Sequence, residues 1–120
     1  MSETPNPKYD LEDRTYEFAK DVRTFVKGLA RTICNIEDVR QLVRASGSVG
    51  ANYIEANEAI SKKDFLFRIR VCRKESKESR YWLPLVDTGT DAGVIAQREK
   101  LIAESTELLK IFNAIAQKSQ

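Results

Sequence analysis

The sequence predicts an all-α protein: a single-domain four-helix bundle whose antiparallel helices run up, down, up and down. Three observations support this prediction. The 120 residues suffice for one domain. Five glycines and three prolines leave long stretches without a helix breaker. Apolar residues recur at steps of three and four along four segments, and none shows the alternation of a strand. We expect the bundle to span residues 10–117, between a disordered lead over residues 1–9 and a frayed tail over residues 118–120.

The first two helices follow from N-cap residues and an apolar seam. Helix one is predicted to follow a cap at Asp10 and to run from about Leu11 to Arg31. Helix two is predicted to follow a cap at Asn35 and to continue to Ile60. Its middle is unusually small, with glycine at positions 47 and 50. Either a neighbouring backbone packs closely against these glycines, or the helix breaks in two at the first of them.

The last two helices have stronger start signals. Ser61, with Asp64 three residues later, predicts the cap of helix three over residues 62–86, with a kink or an early end at Pro84. Residues 87–93 form a loop that contains Asp91, a plausible cap for helix four over residues 94–116. Four amphipathic helices with such short connections are typical of an antiparallel bundle.

Composition excludes more functions than it suggests. The chain has no histidine, which excludes His-dependent catalytic triads and His-ligated metal sites. No cofactor, metal or catalytic residue is expected, and we do not expect an enzyme. There is no signal-peptide pattern and no run of 18 apolar residues, so we expect a cytoplasmic protein without membrane contact. Cys34 and Cys72 are expected to be reduced and mostly buried.

Short motifs in the chain fail the requirements of the sites that they resemble. The Asp87-Thr88-Gly89 triplet occurs once, whereas an aspartic protease needs two such carboxylates on a β scaffold. A calcium loop starting at Asp87 would place Arg98 where a carboxylate is required. Residues 47–50 lack the spacing of a phosphate-binding loop. The carboxylates of helices two and three lack the histidines of a di-iron bundle.

Two polar stripes suggest an interface. The stripe on helix two contains Arg44, Ser48, Asn52 and Glu55, and the stripe on helix three contains Phe67, Val71, Glu75, Glu78 and Trp82. A solvated face seldom mixes aromatic residues with carboxylates. We therefore interpret these residues as an oligomer interface or as polar packing between helices, with two exposed faces as the alternative.

Positive charge is concentrated on helix three. Residues 61–86 hold eight basic and three acidic residues, a net +5, so the rest of the chain carries −3 of the overall +2. A helical wheel places six cations on one arc, namely Lys63, Arg70, Arg73, Lys74, Lys77 and Arg80. This arc is a candidate nucleic-acid-binding surface. The alternative is an ordinary solvated face.

Three segments, in order, resemble a known family. They are RASGSVGANYIEA over residues 44–56, SKKDF over residues 61–65 and RKESKESRYWL over residues 73–83. They closely resemble the four-helix-bundle proteins encoded by intervening sequences of bacterial 23S ribosomal RNA genes, over roughly residues 10–116. The recurrent motif positions of that family fall on Arg44, Ser48, Asn52, Glu55, Glu75, Glu78 and Trp82.

The resemblance implies a four-helix bundle that forms a ring-like homopentamer, with no established enzymatic activity. The family is related to the accessory variability determinant of diversity-generating retroelements, which partners a reverse transcriptase and binds nucleic acid through a basic surface. We therefore expect a pentamer that binds nucleic acid, RNA before DNA, through helix three. The alternative is a scaffold that docks a protein partner without touching nucleic acid.

Overall fold

A computed structural model describes the backbone of residues 7–120 and side chains from residue 11 onward. Within that range the chain forms four helices and no strand: α1 (Pro7–Val26), α2 (Ile33–Asn57), α3 (Lys62–Leu85) and α4 (Ala92–Lys118). The all-α prediction is confirmed. The predicted lead over residues 1–9 lies outside the described residues up to position 6, and residues 7–9 belong to α1.

Neighbouring helices run antiparallel around one core. Contacts from α2 to α3 join Arg44 to Glu78 and Asn52 to Arg68, so residue numbers rise on one helix as they fall on the other. Helix α1 packs on α2 and α4, and so does α3, which places α1 and α3 on opposite corners. The predicted apolar seams point inward: Phe18, Val22 and Phe25 of α1 are fully buried, as are side chains from each of the other helices. The up-down-up-down bundle is thereby confirmed.

Gly50 of α2 packs closely against α1. A Cβ atom on Gly50 would lie 2.9 Å from Oγ1 of Thr15, so only glycine allows the observed separation of the two helices. Helix α2 is continuous through Gly47, and the predicted alternative of a break there is wrong. The prediction of a close neighbouring backbone is confirmed at Gly50, where the added Cβ would lie 3.6 Å from the backbone carbonyl carbon of Thr15, but not at Gly47, which faces only the Arg23 side chain.

Helix boundaries differ from prediction at both ends of α1, α2 and α4, and α2 ends at Asn57 and not at Ile60. Helix α1 begins before Asp10 and ends at Val26, since Gly28 and Leu29 turn back onto carbonyls of its last turn. The N-cap of α2 is Thr32, whose hydroxyl accepts from the backbone of Asn35. Helix α4 begins at Ala92 and runs two residues beyond the predicted end. The caps at Ser61 and Asp91 are confirmed, and α3 ends one residue after Pro84.

Asn35 has a different role from the predicted cap. Its side chain is buried and joins two loops: Nδ2 donates to the carbonyls of Ala30 and Asp87, at 2.9 and 3.0 Å, and Oδ1 accepts from the backbone N–H of Asp87 at 2.8 Å. The α1–α2 loop is thereby fixed to the residues that follow α3. This contact fixes the spacing of the helices at one end of the bundle.

Candidate nucleic-acid interface and the polar face of helix three

Helix α3 presents a basic groove towards α4. The groove has a volume of about 590 Å³ and is lined by Arg70, Arg73, Lys74, Lys77, Leu109, Lys110 and Asn113. Four of the six predicted cations therefore lie together. Arg80 lies one turn further along the same helix, where its Nε donates to Oγ1 of Thr106 on α4 at 2.7 Å. Lys63 is exposed near the start of α3 and does not line the groove.

One hydrogen bond to α4 and two ion pairs within single helices position some of the cations of this groove. Arg73 Nη1 donates to Oδ1 of Asn113 at 3.1 Å, which fixes the guanidinium in the groove wall. Lys74 Nζ lies 3.7 Å from Oε2 of Glu75, and Lys110 Nζ lies 3.6 Å from Oε2 of Glu107. Arg70 and Lys77 are exposed. The groove thus combines a positioned guanidinium with exposed, solvated cations, an arrangement suited to phosphate oxygens.

Sequence reasoning missed the contribution of α4. Lys110 and Asn113 stand on a helix whose charges are mixed, so composition does not single them out. These residues can be located only from the register of the antiparallel helices α3 and α4. Arg73 contacts Asn113 and Arg80 contacts Thr106, so a step of seven residues up α3 matches a step of seven residues down α4. Register between two helices is set by packing, and a wheel drawn for one helix does not contain it.

The two predicted polar stripes meet at the α2–α3 contact. Arg44 donates from Nη2 to Oε1 of Glu78 at 2.9 Å, and its Nη1 lies 3.6 Å from Oε2 of Glu75. Glu75 is only 5% exposed, and its Oε1 accepts no hydrogen bond from the described residues. Glu78 remains partly accessible. This polar packing between helices is one of the two interpretations offered for the stripes.

A second cluster continues the same face. Asn52 donates from Nδ2 to the carbonyl of Ser48 at 2.9 Å and accepts from Arg68 Nη1 at 3.0 Å. The guanidinium of Arg68, which sequence reasoning did not single out, lies 5.5 Å from the centre of the Phe67 ring. Glu55, which shares the predicted stripe, is exposed on α2.

Aromatic and aliphatic side chains line the outer surface of α3. Phe67 is 57% exposed, whereas Val71 and Trp82 are half-buried. Tyr81, which sequence reasoning missed, is 62% exposed and packs edge-on against Trp82 with ring centres 5.0 Å apart. Large exposed apolar side chains on one helix are typical of a contact surface.

The two cysteines have opposite environments. Cys34, in the first turn of α2, is exposed, so the prediction of mostly buried thiols is wrong for this residue. Cys72 is buried, and its Sγ donates to the carbonyl of Val49. Burial raises the pKa of the Cys72 thiol to about 12 and also raises the pKa of Tyr53. The Cys72 thiol therefore stays protonated at neutral pH and is a poor nucleophile.

Comparison with known proteins adds two findings. Residues 8–114 match the family model described as 23S rRNA-intervening sequence protein. A crystal structure from Bacteroides thetaiotaomicron, described as a protein of unknown function from the S23 ribosomal protein family, is 28% identical and superimposes with a TM-score of 0.76. The match covers 92% of this chain and 97% of that one. No curated protein matches. Among the described residues, no helix is long and apolar enough to cross a membrane.

Proposed function

The chain belongs to the 23S rRNA-intervening sequence protein family, and on that premise we propose that it is a non-enzymatic homo-oligomer, a pentamer, that binds RNA through the groove between α3 and α4. The observation that carries the proposal is the basic groove itself, which gathers five lysine and arginine side chains between two helices. The name of the family supports RNA as the ligand. A cytoplasmic location is part of the proposal.

The groove is suited to the nucleic-acid backbone and not to the bases. Its lining residues are cations, one asparagine and one leucine, so the groove offers no aromatic platform on which bases could stack. Arginine and lysine contacts to phosphates fix a nucleic acid in place without reading its sequence. Binding is therefore expected to be weakly sequence-selective and strongly dependent on salt.

Assembly of several copies would combine their modest positive charges into a strong positive electrostatic potential. One copy carries only +2 overall, with the excess confined to α3. Five copies would present five grooves to one RNA, and linked contacts raise the apparent affinity well above that of a single groove. Oligomerisation and RNA binding are therefore two parts of one proposal, which are tested separately.

The binding test is a salt titration with a fluorescent RNA hairpin. We expect wild-type protein to bind at low salt. Arg70→Glu/Lys77→Glu should lose at least tenfold in affinity, with a slope of log K against log salt reduced by about 1.4–1.8 per copy. Both residues are exposed, so the exchange should leave folding intact.

The matched control is Arg31→Glu/Lys100→Glu, which makes the same charge change at exposed positions outside the groove. Equal weakening in both variants would show that only net charge matters, and the groove would be rejected. Absence of wild-type binding at low salt would reject RNA binding altogether. Tighter binding of a DNA hairpin would replace RNA by DNA as the ligand.

A second candidate function is a protein-docking scaffold, which the exposed Phe67 and Tyr81 on α3 favour. Co-purification from cells with and without nuclease separates the two functions. A protein partner that survives nuclease treatment, together with no RNA binding by the purified chain, would favour the scaffold.

A further inference from the structure

Two surfaces rich in apolar side chains are left uncovered by the bundle's own helices, and the first is convex. This surface, the α3 ridge, consists of Phe67, Val71, Glu78, Tyr81 and Leu85. With Lys74 between the second and third of them, these residues recur at alternating steps of four and three, the spacing of a coiled-coil seam. Phe67, Tyr81 and Leu85 are each more than half exposed.

The second surface is concave. The α1–α2 groove has a volume of about 210 Å³, and its walls are formed mainly by Tyr16, Ala19, Gly47, Gly50, Ala51 and Ile54. The small residues form the floor, whereas Tyr16 and Ile54, both more than half exposed, form the sides. A monomer in water gains nothing from holding this apolar groove open.

We infer that these two surfaces are the two halves of one contact between copies of this chain, with the α3 ridge of one copy seated in the α1–α2 groove of the next. The inference rests on the proposed homo-oligomer and specifies how its copies touch. It assigns the interface to two different patches on each copy, a heterologous contact.

Both surfaces lie at the same height along the bundle. Gly50 packs on Thr15, and Cys72 Sγ donates to the carbonyl of Val49, so residues 15, 50 and 72 share a level. In a ring whose axis runs parallel to the helices, each residue faces the residues of the neighbour at its own level. Val71 of the ridge therefore faces the glycine floor of the groove, and Phe67, one turn lower, faces the level of Ile54.

Charges at the two ends are complementary in this register. Glu78 pairs with Arg44 near the level of Gly47, where Arg23 flanks the groove. At the other end, Lys63 is level with Glu58 and close to Glu12, which accepts a hydrogen bond from Asn57. Glu78 and Lys63 thus each face a charge of the opposite sign beside the groove, whereas Lys74 lies at the level of Arg23. A reversed ridge would set Lys63 against Arg23 and Glu78 against the carboxylates, so the first register is favoured.

The positions of the surfaces predict a closed ring. The ridge and the groove flank α2 on neighbouring sides of the bundle, not on opposite sides, because Glu78 contacts α2 while the groove lies between α2 and α1. Each copy is then turned relative to the last in the same sense, so that the contacts can close into a ring. The basic groove lies on the α4 side of α3, and of its lining residues only Lys74 also belongs to the ridge, so the other cations stay accessible in every copy.

The first test places a charge in the α1–α2 groove. Ala51→Glu should convert the oligomer into a folded 13.7 kDa monomer by light scattering, because the carboxylate would be buried against the apolar ridge of the neighbour. Ala103→Glu makes the same change at an exposed position on α4 and should leave the oligomer intact. An Ala51→Glu protein that keeps the wild-type mass would overturn the inference.

The second test distinguishes two different patches from one self-complementary patch. In a Cys34→Ser background, Val71→Cys/Ala51→Cys treated with a short bis-maleimide should give a ladder of cross-linked species up to the size of the ring. Each single cysteine should give none. Dimers from Val71→Cys alone would show α3 pairing with itself and overturn the inference, as would a double variant without a ladder.

These outcomes are distinct from failure of the proposed function. A monomeric wild-type protein would reject the pentamer and this contact together, while RNA binding in the groove would still be scored by the Arg70→Glu/Lys77→Glu pair. An oligomer that persists in Ala51→Glu rejects only the contact.

Discussion

At the residue scale, alanine substitutions at two glycines that lie one turn apart in α2 should affect the free energy of unfolding in opposite ways. Gly50→Ala would put a Cβ 2.9 Å from Oγ1 and 3.2 Å from Cβ of the buried Thr15, which is held by a hydrogen bond to the carbonyl of Leu11. The helices must separate, so we expect a loss of about 1–3 kcal/mol in the free energy of unfolding, despite the gain in helix propensity. Urea denaturation measures it.

Gly47→Ala is the matched comparison. Its Cβ would meet only the end of the flexible Arg23 side chain, at 3.3 Å from Nη2. We expect no loss of stability, or a gain of up to about 1 kcal/mol from helix propensity. If the two variants are equally stable, close packing at Gly50 is not the reason for its glycine.

The thiols give a second prediction at this scale. At pH 8 a thiol reagent should modify Cys34 rapidly and Cys72 only on unfolding, because the first is exposed and the second is buried. Two fast-reacting thiols in the folded protein would contradict the buried position of Cys72.

The pKa of Cys72 also predicts how stability depends on pH. It is raised from its ordinary value of 9.0 to about 12, so between these values the folded state holds a proton that the unfolded state has lost. The stability that the wild type gains from Cys72 is full below pH 9 and declines as pH rises towards 12. The advantage of the wild type over Cys72→Ala should therefore shrink between pH 9 and 11, measured by urea denaturation.

At the scale of the elements, the side chain of Asn35 connects two loops. Asn35→Ala removes three hydrogen bonds made by a buried side chain and leaves the partner backbone groups of Ala30 and Asp87 without them. We expect a loss of about 3 kcal/mol in the free energy of unfolding. Asn113→Ala, which removes a single bond to Arg73 at a half-buried position, should lose less than about 1 kcal/mol. Similar losses in both variants would contradict the role of Asn35.

Helix caps could be predicted from the sequence, whereas contacts between distant loops could not. Ser61 and Asp91 were predictable as caps because a cap bonds to a backbone N–H two or three residues away. The role of Asn35 was not predictable, because Asp87 is 52 residues away in the chain. The early end of α1 depends on how its last turn meets the following loop, which local propensity does not describe.

At the scale of the whole molecule, three sides of α3 have three different environments. One side packs in the core, a second presents cations towards α4, and a third carries the exposed aromatics beside α2. The wheel of a single helix predicted this division, and with it most of the candidate site. It did not predict Lys110, Asn113 or the concave groove between α1 and α2, because each of these requires two helices in register.

Asn35 closes the pole of the bundle at which the α1–α2 and α3–α4 loops meet. The opposite pole holds the α2–α3 turn, where Ile60 is 96% exposed, together with the start of α1 and the end of α4. Exposed turns and helix ends are where added sequence is tolerated. The domain therefore has one pole at which evolution or a protein engineer can add segments and fused domains, and one that must keep its length.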